Sequence, residues 1–144
     1  MEAIKQISIF MENKPGRMAR VAKALADANV NIRALTIAEA GDFGIVRMVV
    51  DDTDRGYKVL REEGFTVSET DVLAVAIQDS PGGLFEIANS LGMNNINVEY
   101  AYAFVTAKAE RAMLILRVDD ISGATRVLSD AGIRLATKAE IPQI

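Results

Sequence analysis

The chain has 144 residues, half of them hydrophobic and 25% charged, with a formal net charge of −4. That length suits one ordinary domain or two small ones with real cores. The acidic balance argues against nucleic acid or an anionic membrane surface as partner, and the absence of His, Cys and Trp removes disulfides, thiolate metal sites and the commonest general base.

Ile7, Ile9 and Met11 alternate with Ser8 and Phe10, the period of a strand. Asn13-Lys14-Pro15-Gly16-Arg17 follows as a turn. Met18, Val21, Ala22 and Leu25 then fall at i, i+3, i+4 and i+7, one face of a helix that ends near Asn29. The pattern predicts a second strand over 32–38, a turn at Gly41-Asp42 and a return strand over 45–50. Asp52 is a candidate N-cap for a second helix carrying Val59 and Leu60, with Gly64 as its stop. Phe65-Thr66-Val67 reads as a short last strand.

The same order then begins again. A strand over 72–77 leads to Asp79-Ser80-Pro81-Gly82-Gly83, where Ser80 can cap a helix and Pro81 suits its first position. Leu84, Ile87, Ala88 and Leu91 form the helical stripe and Asn95 ends it. Strands over 98–105 and 113–118 follow. Asp120 is the next candidate cap, Val127, Leu128 and Ala131 the next apolar face, Gly132 its stop and Ile133-Arg134-Leu135 the final strand.

This is an internal duplication. Pro15-Gly16 and Asn29-Val30-Asn31-Ile32 return 66 residues later as Pro81-Gly82 and Asn95-Ile96-Asn97-Val98. Val50-Asp51-Asp52 and Val59-Leu60 return 68 residues later as Val118-Asp119-Asp120 and Val127-Leu128. The order β-α-β-β-α-β, with right-handed crossovers, predicts an α+β fold of two ferredoxin-like plaits over 1–70 and 71–144. The boundary near 68–70 has no Pro or Gly and no long polar run, so the plaits are expected side by side in an extended eight-stranded antiparallel sheet, helices on one face. The other face lacks helix cover, and a homodimer is the natural way to bury it.

The strand–helix loops hold the candidate site. A helix start offers N–H groups and a positive dipole end to a carboxylate, and Asp79 beside it suits an ammonium. Asn31 and Asn97 add donor and acceptor together. The same residues also make a plain turn and cap. Tyr100, Tyr102 and Phe104 share one face of a strand, in the core or on the open sheet face, and periodicity does not say which. Arg17, Arg20 and Lys23 read as a solvated helix face. Asp51-Asp52 as a hard metal site is the weaker alternative to helix capping.

Strand, (Asn/Asp)-x-Pro-Gly, helix, Asn-(Ile/Val), strand and a second βαβ half resembles the ACT domain, in two copies over nearly the whole chain. The resemblance implies a tandem regulatory protein that binds an amino acid or other metabolite between paired domains. It places ligand contacts in the second repeat at Asp79, Pro81, Gly82, Gly83, Leu84, Asn97 and Val98. The matching positions of the first are Asn13, Pro15, Gly16, Asn31 and Ile32, where Lys14 and Arg17 stand in place of Ser80 and Gly83 and crowd the loop. No cofactor, metal or catalytic residue is expected, and any regulated enzyme would be a separate chain. An interaction module that binds an enzyme or transporter subunit without a ligand is the alternative. An acylphosphatase-type enzyme would need a glycine-bracketed, phosphate-binding Arg loop, which is not visible, and a ferredoxin would need Cys. Without a signal-peptide pattern or an apolar run long enough to span a bilayer, a cytoplasmic location is expected.

Overall fold

The structure is a computed structural model that describes residues 3–78, 80–106 and 111–141. Its elements run β1 (Ile4–Glu12), α1 (Arg17–Asp27), β2 (Ile32–Ala40), β3 (Phe43–Val50), α2 (Thr53–Glu62) and β4 (Thr66–Gln78). They continue α3 (Gly83–Met93), β5 (Val98–Thr106), β6 (Arg111–Val118), α4 (Ile121–Asp130) and β7 (Leu135–Ala136), closing with a 3-10 turn at Lys138–Glu140. Lys5–Thr70 forms one compact unit and Asp71–Ile141 the body of a second, the division falling inside β4.

The described residues therefore hold seven strands where eight were expected. The last strand of the first repeat and the first strand of the second are one continuous strand of 13 residues. The intervening Ser68-Glu69-Thr70 contains neither Gly nor Pro to turn the chain, so extended backbone runs through.

Local chemistry sets the helix ends alike in both units. Asp52 Oδ1 accepts the Arg55 N–H at 3.2 Å, and Asp120 Oδ1 accepts the Gly123 N–H at 2.9 Å, capping α2 and α4 as predicted. Asn29 and Asn95 take φ of 59° and 57°, the left-handed turn at which α1 and α3 stop. That turn lets Val30 and Ile96 donate back to the Leu25 and Leu91 carbonyls at 2.9 and 3.0 Å.

In the first unit β3 pairs antiparallel with β1 and β2, Met48 standing opposite both Ile7 and Leu35. In the second, β6 pairs with β4 and β5, Leu114 opposite Val75 and Ala103, and β7 lies on the other side of β4. One face of each sheet meets its two helices. Ile7, Ile9, Met48 and Val50 pack with Val21, Leu25 and Leu60. Val75, Leu114, Leu116 and Val118 pack with Ile87, Leu91 and Leu128. Burying one such Leu or Ile contributes about 1.5–3 kcal/mol.

The register also decides the aromatic strand. Leu114, Leu116 and Val118 face the helices, so Ile115 and Arg117 face away from them. Tyr102 stands opposite Ile115 and Tyr100 opposite Arg117, after a bulge at Glu99. Both tyrosines are half-buried on the face without helices. Phe104 follows them in register, opposite Met113.

Candidate functional site

The two strand–helix loops have the same backbone. Lys14 N–H donates to the Glu12 carbonyl at 3.0 Å and Ser80 N–H to the Gln78 carbonyl at 2.9 Å. Arg17 N–H to Lys14 and Gly83 N–H to Ser80 are both 3.3 Å. The next turns close through Arg20 to Gly16 and Glu86 to Gly82, at 3.1 and 3.2 Å. Gly16 and Gly82 are the N-caps, with φ of 88° and 97°. Such positive φ strains any residue with a Cβ.

This corrects two expectations. Ser80 does not cap α3, which has no side-chain cap bond among the described residues. Pro81 lies before the cap and not at the first helical position; its fixed φ serves the turn, and the left-handed glycine stands between it and the helix. Gly83 has a reason of its own, because a Cβ there would come within 2.9 Å of the Gln78 carbonyl oxygen.

Above this loop in the second unit is a cleft of about 470 Å³. Gln78, Ser80, Pro81, Gly82 and Gly83 line it from the loop, Ala76 and Ile77 from β4, and Glu86 and Ile87 from α3. Gly132, Ile133 and Arg134 close it from the turn after α4. That turn comes alongside because β7 pairs with β4, and Ala76 N–H donates to the Arg134 carbonyl at 3.2 Å. The Arg134 guanidinium is ion-paired to Glu140. The Thr137 N–H and hydroxyl hold the same carboxylate at 3.0 and 3.2 Å. Glu86 makes no ion pair among the described residues and is exposed.

The predicted residues are brought together only in part. Pro81, Gly82 and Gly83 line the cleft, and Leu84 follows them, 58% exposed. Asp79 lies outside the described residues. Asn97 and Val98 do not line the cleft. Ile77 pairs with Ala112 and Val98 with Val118, at opposite ends of β6. At roughly 3.4 Å per residue the two ends are about 20 Å apart. Val98 packs partly against the core, as Ile32 does in the first unit. Asn97 N–H donates to Asp119 Oδ1 at 3.0 Å, and Asp119 N–H returns to the Asn97 carbonyl at 3.2 Å. Asn31 and Asp51 repeat the exchange at 2.9 and 3.0 Å. The Asn31 N–H holds the Asp51 carboxyl below its ordinary range. The aspartate pair is thus used in capping and in tying the strand start, and among the described residues no three potential ligands gather into a metal site.

In the first unit the matching side chains are engaged with one another. Lys14 and Arg17 both pair with Glu12, at 2.8 and 3.1 Å, and Lys14 before Arg17 holds that carboxyl down. Arg20 occupies the position of Glu86. Its guanidinium stacks 4.9 Å above the Phe65 ring and donates to the Glu63 carbonyl at 3.2 Å. Arg20 is therefore engaged across the groove and not simply solvated. Asn13 is occupied too, donating from Nδ2 to the Gly41 carbonyl at 3.3 Å. Sequence reasoning missed Glu86, Ile133 and Arg134; the charge reversal between Arg20 and Glu86 was the signal that could have found them.

Two duplicated ferredoxin-like units, one with an open cleft at the start of its first helix, define a duplicated α+β module. The chain belongs to the ACT domain pair family, whose model matches residues 2–141. That family is a regulatory domain type. The chain is similar to protein BT0572 from Bacteroides thetaiotaomicron, at 35% identity and a TM-score of 0.91, covering 97% of this chain and 96% of that one. It shares its fold with the ligand-free regulatory subunit of aspartate kinase from Thermus thermophilus, at 17% identity and a TM-score of 0.65, over 90% and 93% of the two chains. The corresponding subunit from Thermus flavus gives 17% and 0.62, over 92% and 94%. No curated protein sequence matches. Among the described residues no helix is long and apolar enough to cross a membrane.

Proposed function

We propose that this chain is a regulatory protein that binds a small molecule, an amino acid, and performs no reaction itself. The observation that carries this reading is the cleft on the Pro81-Gly82-Gly83 loop, open in the second unit where Arg20 reaches across the matching position of the first. The ligand carboxylate would meet the N–H groups at the start of α3, and the ammonium Asp79. Asn97 is about 20 Å from the loop within its own unit, so its part in the site would be to complete the cleft of a paired module. Such pairing, between two chains, would run side by side through the sheets. The edge position of β5 in its unit supports this. The signal would be read by a separate metabolic enzyme in the cytoplasm.

The test is a thermal-shift screen of the chain against each common amino acid, followed by calorimetry. A ligand that binds only the native state raises the midpoint by mass action. If none does so and none gives binding heat, the chain is a ligand-free interaction module.

A further inference from the structure

We infer that the second unit's cleft selects a ligand with a cationic side chain, a guanidinium or an ammonium on an aliphatic stem, and that each chain holds one such site. The inference rests on the amino-acid reading above and adds the ligand class and the residue that selects it. The repeat supplies the argument. In the first unit an arginine of the chain itself lies in the groove, its stem rising from α1, its head over Phe65 and bonded to the Glu63 carbonyl. At the matching positions the second unit has Glu86 for Arg20, Ile133 for Phe65 and Ala131 for Glu63. The backbone of the two loops is the same, so the space taken by that side chain is open in the second unit, and an acidic group has replaced the basic one at its rim.

The charges of the lining point the same way. Glu86 and Arg134 are the ionisable residues among the described ones that line the cleft. Arg134 is neutralised by Glu140, which is in turn held by Thr137. Among the described residues Glu86 has no ion-pair partner, and a carboxylate beside an apolar wall of Ile133 and Ile87 suits a cation with an aliphatic stem. In the first unit Arg20 already lies across the matching position, over Phe65 and bonded to the Glu63 carbonyl.

Calorimetry with L-arginine, L-lysine, L-leucine and L-glutamate as probes decides it, on the wild type and on Glu86→Gln, Glu86→Arg and Arg20→Gln. The expected result is tighter binding of L-arginine or L-lysine than of L-leucine, at one ligand per chain. Glu86→Gln should weaken the basic ligand at least tenfold and leave L-leucine unchanged. Glu86→Arg, which rebuilds the first unit's arrangement, should abolish binding, while Arg20→Gln should leave the tight site intact. Far-ultraviolet circular dichroism of each variant checks the fold. If L-leucine or L-glutamate binds best, if Glu86→Gln leaves L-arginine and L-lysine affinity unchanged, or if two equal sites appear, the inference falls and the amino-acid reading stands. If no amino acid binds the wild type, both fall together.

Discussion

The loop before α1 and the loop before α3 are one backbone with two contents. Each places a left-handed glycine ahead of its helix, after the same two short turns. The first then packs its surroundings with Lys14, Arg17 and Arg20, all engaged with Glu12, Glu63 or Phe65. The second has Ser80, Gly83 and Glu86 there, and a cleft remains. The difference teaches that main-chain hydrogen bonds preserve a duplicated turn while side-chain size and charge decide whether a cleft stays open over it. Proline and glycine mark the turn in both repeats, and so do not distinguish the loop with the cleft from its copy.

Three measurements would break or sharpen this comparison. The largest effect belongs to the cores, where the repeats are alike. Leu60 and Leu128 are matching residues of α2 and α4, both fully buried. Leu60→Ala and Leu128→Ala should each cost about 2–5 kcal/mol in urea unfolding. A near-zero loss for either one would show that the two units are not built on equivalent cores.

The second measurement concerns the loops, where they differ. Asp79→Ala should weaken amino-acid binding by about tenfold to a hundredfold, the loss of one charge-assisted hydrogen bond of roughly 1.5–3 kcal/mol. Asn13→Ala should matter less, because the Asn13 amide is committed to the Gly41 carbonyl. Calorimetry on both variants would reverse the ranking of the repeats if Asn13→Ala proved the more damaging.

The smallest effect is electrostatic. Lys14 and Arg17 lower the Glu12 carboxyl in the folded chain. A carboxyl lowered on folding adds stability above its unfolded value, about 4.3 for Glu, and that contribution is lost as pH falls through the lowered folded value. Glu12→Gln, which copies Gln78 of the second repeat, should therefore reduce the acid-side fall in melting temperature without changing the fold. The pairs are exposed, so the change should be small and should fade with added salt. An unaltered pH profile at low salt would show that the ion pairs do not form in solution.

Much of the architecture was legible in the residues. The stripe Met18, Val21, Leu25 and its copy named two helices, Asp52 and Asp120 named two caps, and Asn29 and Asn95 named two helix ends, each by a local preference of backbone or side chain. Where expectation and structure differ, the deciding contact is nonlocal or the local choice was finely balanced. Ser80 and Gly82 are two residues apart and both suit an N-cap, and the left-handed glycine took the position.

What the sequence by itself determined is the duplication, the order of elements and the Pro81-Gly82-Gly83 loop, because hydrophobic period and turn chemistry act within a few residues of chain. Only the tertiary structure decided that Tyr100 and Tyr102 lie away from the helices, since a one-residue slip in pairing exchanges the faces and the bulge at Glu99 sets the register. It alone brought Arg134 and Ile133 beside Glu86, residues almost fifty positions apart in the chain, because β7 pairs with β4 and carries the preceding turn to the start of α3. And it alone separated Asn97 from that loop, because a strand that begins where its helix ends starts at the far end of the sheet from where the helix began.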